Sequence, residues 1–294
     1  MYINHNQMAT NVANTLTSHY GNLQTSTQRL SSGLRVNSAA DDAAGLAIRE
    51  LMRTDIAALQ QGVRNANDAI SLIQTADGAL GVIDEKLTRM KELAEQAATG
   101  TYESTQRLMI ESEYQAMASE ITRIANSTDF NGIHLLNGNL SSSVHSGTAM
   151  TSTGKMKIHF GTANDSAEDY YYIQIGTSTA SALGVGNQAD ANSKAYTVST
   201  QAAAQKALVG LTDAVVSKDK IRAHLGALQN RLENTISNLT TQAENLQAAE
   251  SRISDVDVAT EMTQFVRNQI LTQSAVAMLS QANSMPQMAM QLIG

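Results

Sequence analysis

The chain has 294 residues, with 20 Lys and Arg against 27 Asp and Glu, a formal net charge of -7, and no Cys. That balance lacks the basic stripe a phosphate backbone requires, which argues against a nucleic-acid partner, and the missing thiols exclude disulfides and thiolate metal sites. Aromatics make up 4%, Trp is absent and Pro occurs once, at Pro286, a profile that suits long helices meeting along narrow seams better than one deep globular core.

Residues 1–28 contain no Asp, Glu, Lys or Arg. They offer neither the positive region nor the apolar region of a secretory signal. Met8, Val12, Leu16, Tyr20, Leu23 and Leu30 nevertheless keep helical spacing. A lone surface helix carries charge on its wet face, so a helix this neutral suits burial among other helices, and as an isolated segment it is expected to be disordered. Ser38-Ala39-Ala40-Asp41 reads as a capping box.

A heptad seam follows through Met52, Ile56, Leu59, Val63, Ala66, Ile70, Ile73, Ala76, Leu80, Ile83, Leu87, Met90, Ala94 and Ala97. Its steps alternate four and three, with one repeated three around Ile73, a stammer. The spacing predicts a helix of about 55 residues, roughly 80 Å long at 1.5 Å per residue, ending at Gly100. Such a helix cannot bury its own seam. A second helix from about Ser104 to Asn126 (Leu108, Tyr114, Met117, Ile121, Ile124) makes an antiparallel hairpin with it.

From Asn131 to about Asn192 Gly, Ser, Thr and Asn dominate. Within that stretch 155–160 alternates polar and apolar and 170–175 is rich in β-formers, so the two read as a hairpin around a long turn at 161–169. Helical period returns from about Thr200, through Ile221, Leu225, Leu228, Leu232, Ile236, Leu239, Ala243 and Leu246, as a third partner for the seam. From Met262 to Gly294 the only charge is Arg267. No run approaches the 18 apolar residues of a membrane span.

Sites of chemistry are missing. Gly184-Val185-Gly186-Asn187-Gln188-Ala189 imitates a dinucleotide fingerprint but has no strand before it or helix after it, and reads as a flexible loop. The six His lie in different segments with no metal-ligand spacing. Asp41-Asp42 and Asp84-Glu85 are explained by capping and solvation before acid–base catalysis. No catalytic, metal or cofactor residue is assigned, and an enzyme is not expected.

Two segments are specific. Residues 28–48, with Arg29, Leu30, Gly33, Leu34, Asn37, Asp41, Asp42 and Gly45, closely resemble the N-terminal signature of bacterial flagellins. Residues 251–262, with Arg252, Asp255, Ala259, Thr260 and Glu261, resemble the C-terminal signature of the same family, and Asp129-Phe130-Asn131-Gly132 also matches. The resemblance covers about 1–140 and 200–294. It implies a mainly α, long-helix coiled-coil bundle with a small β-hairpin insertion. Residues 1–37 and 258–294 would form a terminal coiled-coil domain, D0. Residues 38–140 and 200–257 would form a helical rod, D1, and 141–199 a short variable surface region.

The function implied is a subunit polymerising into the flagellar filament for motility, secreted unfolded through the flagellar type III channel. Implied partners are copies of itself, an export chaperone at the C-terminal segment, the filament cap and hook-associated proteins, without membrane insertion. A host Toll-like receptor is a further candidate, through Arg89, Lys91, Glu92, Leu93, Gln96 and Glu113, where Lys91 replaces the commoner Arg. Ser141, Ser142 and Ser143, Thr148 to Thr153 and Thr177 to Ser181 could carry O-linked glycans. The competing readings are a hook–filament junction protein, or a non-polymeric coiled-coil adaptor or adhesin, the latter at odds with the charge-free ends.

Overall fold

The computed structural model describes residues 6–146, 153–166, 168–190 and 192–293. It divides into two compact units, Met1–Ile56 with Glu244–Gly294, and Ala57–Ala243.

The central unit is built on α2 (Ala43–Ala98), α3 (Ser104–Ser127) and α5 (Gln201–Ser254). Arg89 meets Glu113 and Arg107 donates to the Ala97 carbonyl, so α3 runs antiparallel to α2. Lys218 meets Asp84 and Arg222 meets Asp77, so α5 does too. Leu80, Ile83, Leu87 and Met90 of α2 pack with Tyr114, Ala118 and Ile121 of α3 and with Leu211, Leu225 and Leu232 of α5 in one apolar cluster. The expected three-helix packing is therefore present.

The seam of α2 runs differently from the sequence reading. Gly62 and Ala69 are buried, while Val63 and Ile70 are half-exposed. Through Leu59, Gly62, Ala66, Ala69, Ile73, Ala76, Leu80, Ile83, Leu87, Met90, Ala94 and Ala97 the steps alternate three and four without interruption, so there is no stammer. The cause is a close approach of backbone: a Cβ on Gly62 would lie 2.1 Å from the Phe160 carbonyl oxygen. On α3 the buried face is Ile110, Tyr114, Ala118, Ile121, Ile124 and Ala125, and Leu108 is exposed. The Tyr114 hydroxyl is satisfied by the Ala195 carbonyl at 2.6 Å, and burial pushes its phenol above the ordinary range.

Among the described residues the middle segment holds three two-stranded antiparallel sheets. β1 (Asp129–Phe130) and β2 (Ile133–His134) close on Asn131 and Gly132, both at positive φ (52° and 78°), the signature of a type I′ turn. β3 (His145–Ser146) pairs with β4 (Thr153–Gly154). β5 (Met156–His159) pairs with β6 (Tyr170–Ile173) in the register Met156↔Ile173 to His159↔Tyr170, the expected hairpin. α4 (Ala180–Leu183) then starts under a Thr179 cap and ends on Gly184 at φ 73°.

The expected flexible loop over 184–189 is held in place. Gly186 donates to Ala195, and the Asn187 N–H donates to Gln115 at 2.6 Å. A Cβ on Gly186 would lie 2.3 Å from the Ala118 Cβ, so the string is glycine-rich for packing on α3. Ile175, Ala180, Leu183, Val185, Ala195 and Val198 join the helical core cluster.

In the terminal unit α1 (Gln7–Ser32) packs on α6 (Val258–Ile293). Asn6 donates to the Ala282 carbonyl and Arg29 faces Glu261 at 3.8 Å, so the pair is antiparallel. The two neutral ends pack on each other, the burial among helices that their composition suits, although Met8 and Tyr20 of the α1 stripe stay exposed. Asn6 caps α1, its side chain accepting the Ala9 N–H.

Candidate functional site

The signature residues converge where α1 ends. Gly33 takes φ 74°, ending the helix with its N–H on the Arg29 carbonyl (2.8 Å), a geometry that costs an L residue strain. The next residues clasp the end of α5. Leu34 bridges Asp255 antiparallel, Arg35 donates its N–H to Ser254 at 2.6 Å, and Val256 donates to Gly33 at 3.0 Å. The Arg35 guanidinium adds a bond to the Ile253 carbonyl at 2.7 Å. Asp255 is fixed by the Ser251 and Ser254 hydroxyls.

The expected capping box is displaced. Ser38–Asp41 forms a separate turn in which one Asp41 carboxylate oxygen accepts the N–H groups of Asn37 and Ser38 and the Ser38 hydroxyl. Those bonds, that from the Ser38 N–H first, hold the Asp41 carboxyl below its usual range. Asp42 caps α2 instead, accepting the Gly45 N–H at 2.9 Å; a Cβ on Gly45 would press on that carboxylate. Arg49, buried, donates to the Val36 carbonyl at 2.9 Å and ties the turn to the helix. Arg49 reaches the Val36 carbonyl across 13 positions, a contact that spacing does not reveal, whereas Ser251 and Ser254 meet Asp255 locally.

At the start of α6 the cap is Asp257, which accepts the N–H groups of Ala259 and Thr260 and the Thr260 hydroxyl. The Thr260 hydroxyl leads those bonds in holding the Asp257 carboxyl below its usual range. Ala259, Thr260 and Arg252 are exposed, and Leu30 is half-buried.

Beyond the clasp, the terminal pair leaves much of its apolar surface open. Met8 and Tyr20 on α1, and Val258, Met262, Val266, Ile270, Val276 and Met278 on α6, are all 45% exposed or more. Two helices bury one stripe each, and the rest has no partner within the described chain.

On α2 and α3 the structure brings Arg89, Glu92 and Glu113 together. Arg89 bonds one Glu113 oxygen at 2.8 and 3.0 Å and Glu92 at 3.0 Å, all three side chains exposed. Lys91 is exposed, and Gln96 donates to the Tyr102 hydroxyl. Leu93 is buried in the core and cannot serve as a surface contact. Ser142 and Ser143 are exposed, whereas Ser141 is half-buried with its hydroxyl on the Gly138 carbonyl. Within 177–181 Ser178 is buried and Thr179 caps a helix. Residues 148–152 lie outside the described residues.

Known proteins match this layout. A family described as the bacterial flagellin N-terminal helical region matches residues 3–141, and the bacterial flagellin C-terminal helical region matches 208–293. A flagellar filament 33 kDa core protein from Treponema phagedenis is 41% identical over 293 residues, covering 100% of both chains. The chain belongs to the bacterial flagellin family. A flagellin from Bacillus subtilis (strain 168) is 43% identical over 310 residues, again covering 100% of both chains. A putative flagellar hook-associated protein from Vibrio parahaemolyticus shares the fold at a TM-score of 0.55 and 13% identity, covering 73% of this chain and 100% of its own. Flagellins are structural proteins, and this chain is not an enzyme.

Proposed function

We propose that this chain polymerises into the bacterial flagellar filament through the exposed apolar flank of α1 and α6. The observation that carries this reading is the combination of two facts. Nine large apolar side chains stand open on the described part of the terminal pair, Met288 among them, and residues 1–28 hold no charge to keep such a surface wet. Each Met, Val or Ile buried between subunits contributes about 1.5–3 kcal/mol. A heterologous contact through this flank that does not close generates an open helix of subunits.

In this reading 1–37 with 258–294 act as the terminal coiled coil, 38–140 with 200–257 as the helical rod, and 141–199 as the outer surface. The filament lies outside the cell, and the unfolded subunit would reach it through the flagellar type III channel. The open α6 surface is the segment an export chaperone would cover, and cap and hook-associated proteins would meet the filament's ends. The exposed Arg89–Glu92–Glu113 cluster, with Lys91 and Gln96, is the candidate for a host Toll-like receptor; Ser142 and Ser143 are the accessible glycan candidates.

The test is electron microscopy of purified chain after addition of short filament seeds, beside a variant lacking 1–28 and 262–294. Filaments from the full chain alone support the reading. A full chain that stays monomeric with ordered ends overturns it.

A further inference from the structure

We infer that the outward face of the β5–β6 hairpin is a binding site for an acidic polysaccharide. The chain is poor in aromatics, 8 Tyr and 3 Phe, yet Phe160 and Tyr170 to Tyr172 sit on this hairpin. The pleat sorts them. Phe160 and Ile173 are buried, and Tyr171 packs on the Phe160 ring and under Arg231. The other face carries Lys155, Lys157, His159, Tyr170 and Tyr172, all partly exposed, in a protein of net charge -7.

These side chains form one ladder. The Lys155 ammonium stands 4.1 Å from the Tyr172 ring centroid and that of Lys157 3.5 Å from Tyr170. The two rings meet edge to face at 5.4 Å, His159 stacks on Tyr170 at 6.1 Å, and His145 leans on Tyr172 at 5.5 Å. In the adjoining turn Asp169 is buried and accepts the Asp165 N–H, and among the described contacts neither ladder lysine pairs with a carboxylate.

The rings hold both ammonium groups in place, which lowers the ordering cost of binding an anion. Lys157 lies on β5 and Lys155 in the bend just before it, so the two ammonium groups sit side by side over the two Tyr rings. A row of fixed cations beside phenol hydroxyls and ring edges suits a polymer that alternates sulfate or carboxylate with sugar hydroxyls. This inference stands independently of the filament reading.

The test measures binding of the full-length chain to heparin, a sulfated polysaccharide, and to neutral dextran across a salt series. Four forms are compared: wild type, Lys155→Gln/Lys157→Gln, Tyr170→Leu/Tyr172→Leu, and the control Lys206→Gln/Lys220→Gln, whose lysines are exposed elsewhere. Circular dichroism and seeded polymerisation are read on each. Expected are salt-sensitive binding of heparin only, a loss of at least about tenfold in both ladder variants, and no change in the control. Wild-type affinity in Lys155→Gln/Lys157→Gln, or an equal loss in the control, overturns the site. So does a ladder variant that keeps its heparin affinity but no longer polymerises, which would make the face a contact between subunits.

Discussion

Lys218 offers a sharp test of how the central helices hold their register. It occupies a core position of the α5 heptad and is 1% exposed, yet it carries an ammonium 2.5 Å from Asp84 and 2.7 Å from Asp219. The two carboxylates are not buried to match: their side chains are 39% and 58% exposed. Removing the cation and removing the anions should therefore differ. Lys218→Met keeps an unbranched apolar stem in the seam and leaves two carboxylates that water can solvate, so the expected cost is within about 1 kcal/mol. Asp84→Asn/Asp219→Asn strands a buried ammonium without a counter-charge, and the expected cost is about 3–5 kcal/mol. The assay is urea unfolding of the full chain at pH 7, followed by far-ultraviolet circular dichroism. A Lys218→Met variant as unstable as the double Asn variant, or more so, would refute the reasoning. The same site sets a pH dependence. Burial lowers the Lys218 pKa, but the bonds to Asp219 and Asp84 outweigh it and hold the group above its ordinary 10.5. Its contribution is fully present below about pH 10.5 and is lost as pH rises through the higher folded value, so wild type should lose more stability than Lys218→Met in that alkaline range.

Gly62→Ala should destabilise by about 1–3 kcal/mol because the new Cβ meets the Phe160 backbone. Gly78→Ala, on the same helix with open space around it, should stabilise by about 0.5–1 kcal/mol; thermal melts of the two variants compare them directly. Gly33→Ala, with room for a Cβ but φ at +74°, should loosen the terminal clasp by about 1–2 kcal/mol, read as faster amide exchange at Arg35 and Val256 with the central helices unchanged. Asp77, held below its ordinary 3.8 chiefly by the bond from Arg222, contributes stability above that pH that is lost as pH falls. Because the pair is about 40% exposed, Asp77→Asn should cost only about 0.5–1 kcal/mol at pH 7, a difference that shrinks as pH falls below 3.8 in the same melts.

Periodicity made the long helices and the β5–β6 hairpin legible, since each stripe is long enough for its period to declare itself. The shift of the α2 seam onto Gly62 and Ala69 was hidden. Val63 and Ile70 are the more apolar residues, and only the approach of the Phe160 backbone makes glycine the better neighbour there. Asp42 and Asp41 divide capping and turn between adjacent residues of one type, which sequence spacing alone does not separate. The type I′ turn could have been found, because Asn-Gly is its strongest short signal. The packing of 175–198 could not, because its apolar residues fall irregularly among Ser, Thr and Asn. The terminal surface was readable from its lack of charge; the Arg35–Ile253 and Arg49–Val36 bonds beside it were not, because they join segments by backbone carbonyls that any residue supplies.

The clasp also sets an order of events in time. Arg35 meets Ile253 across 218 positions and Asn6 meets Ala282 across 276, so these are among the least local contacts in the molecule. Contacts of such separation form late, after the local helices and hairpins have shortened the chain between them. A chain that emerges from its α1 side holds that helix unpartnered until α6 arrives. Completion of the α1–α6 pair thus waits for α6, and a chain cut short before Val258 never forms it.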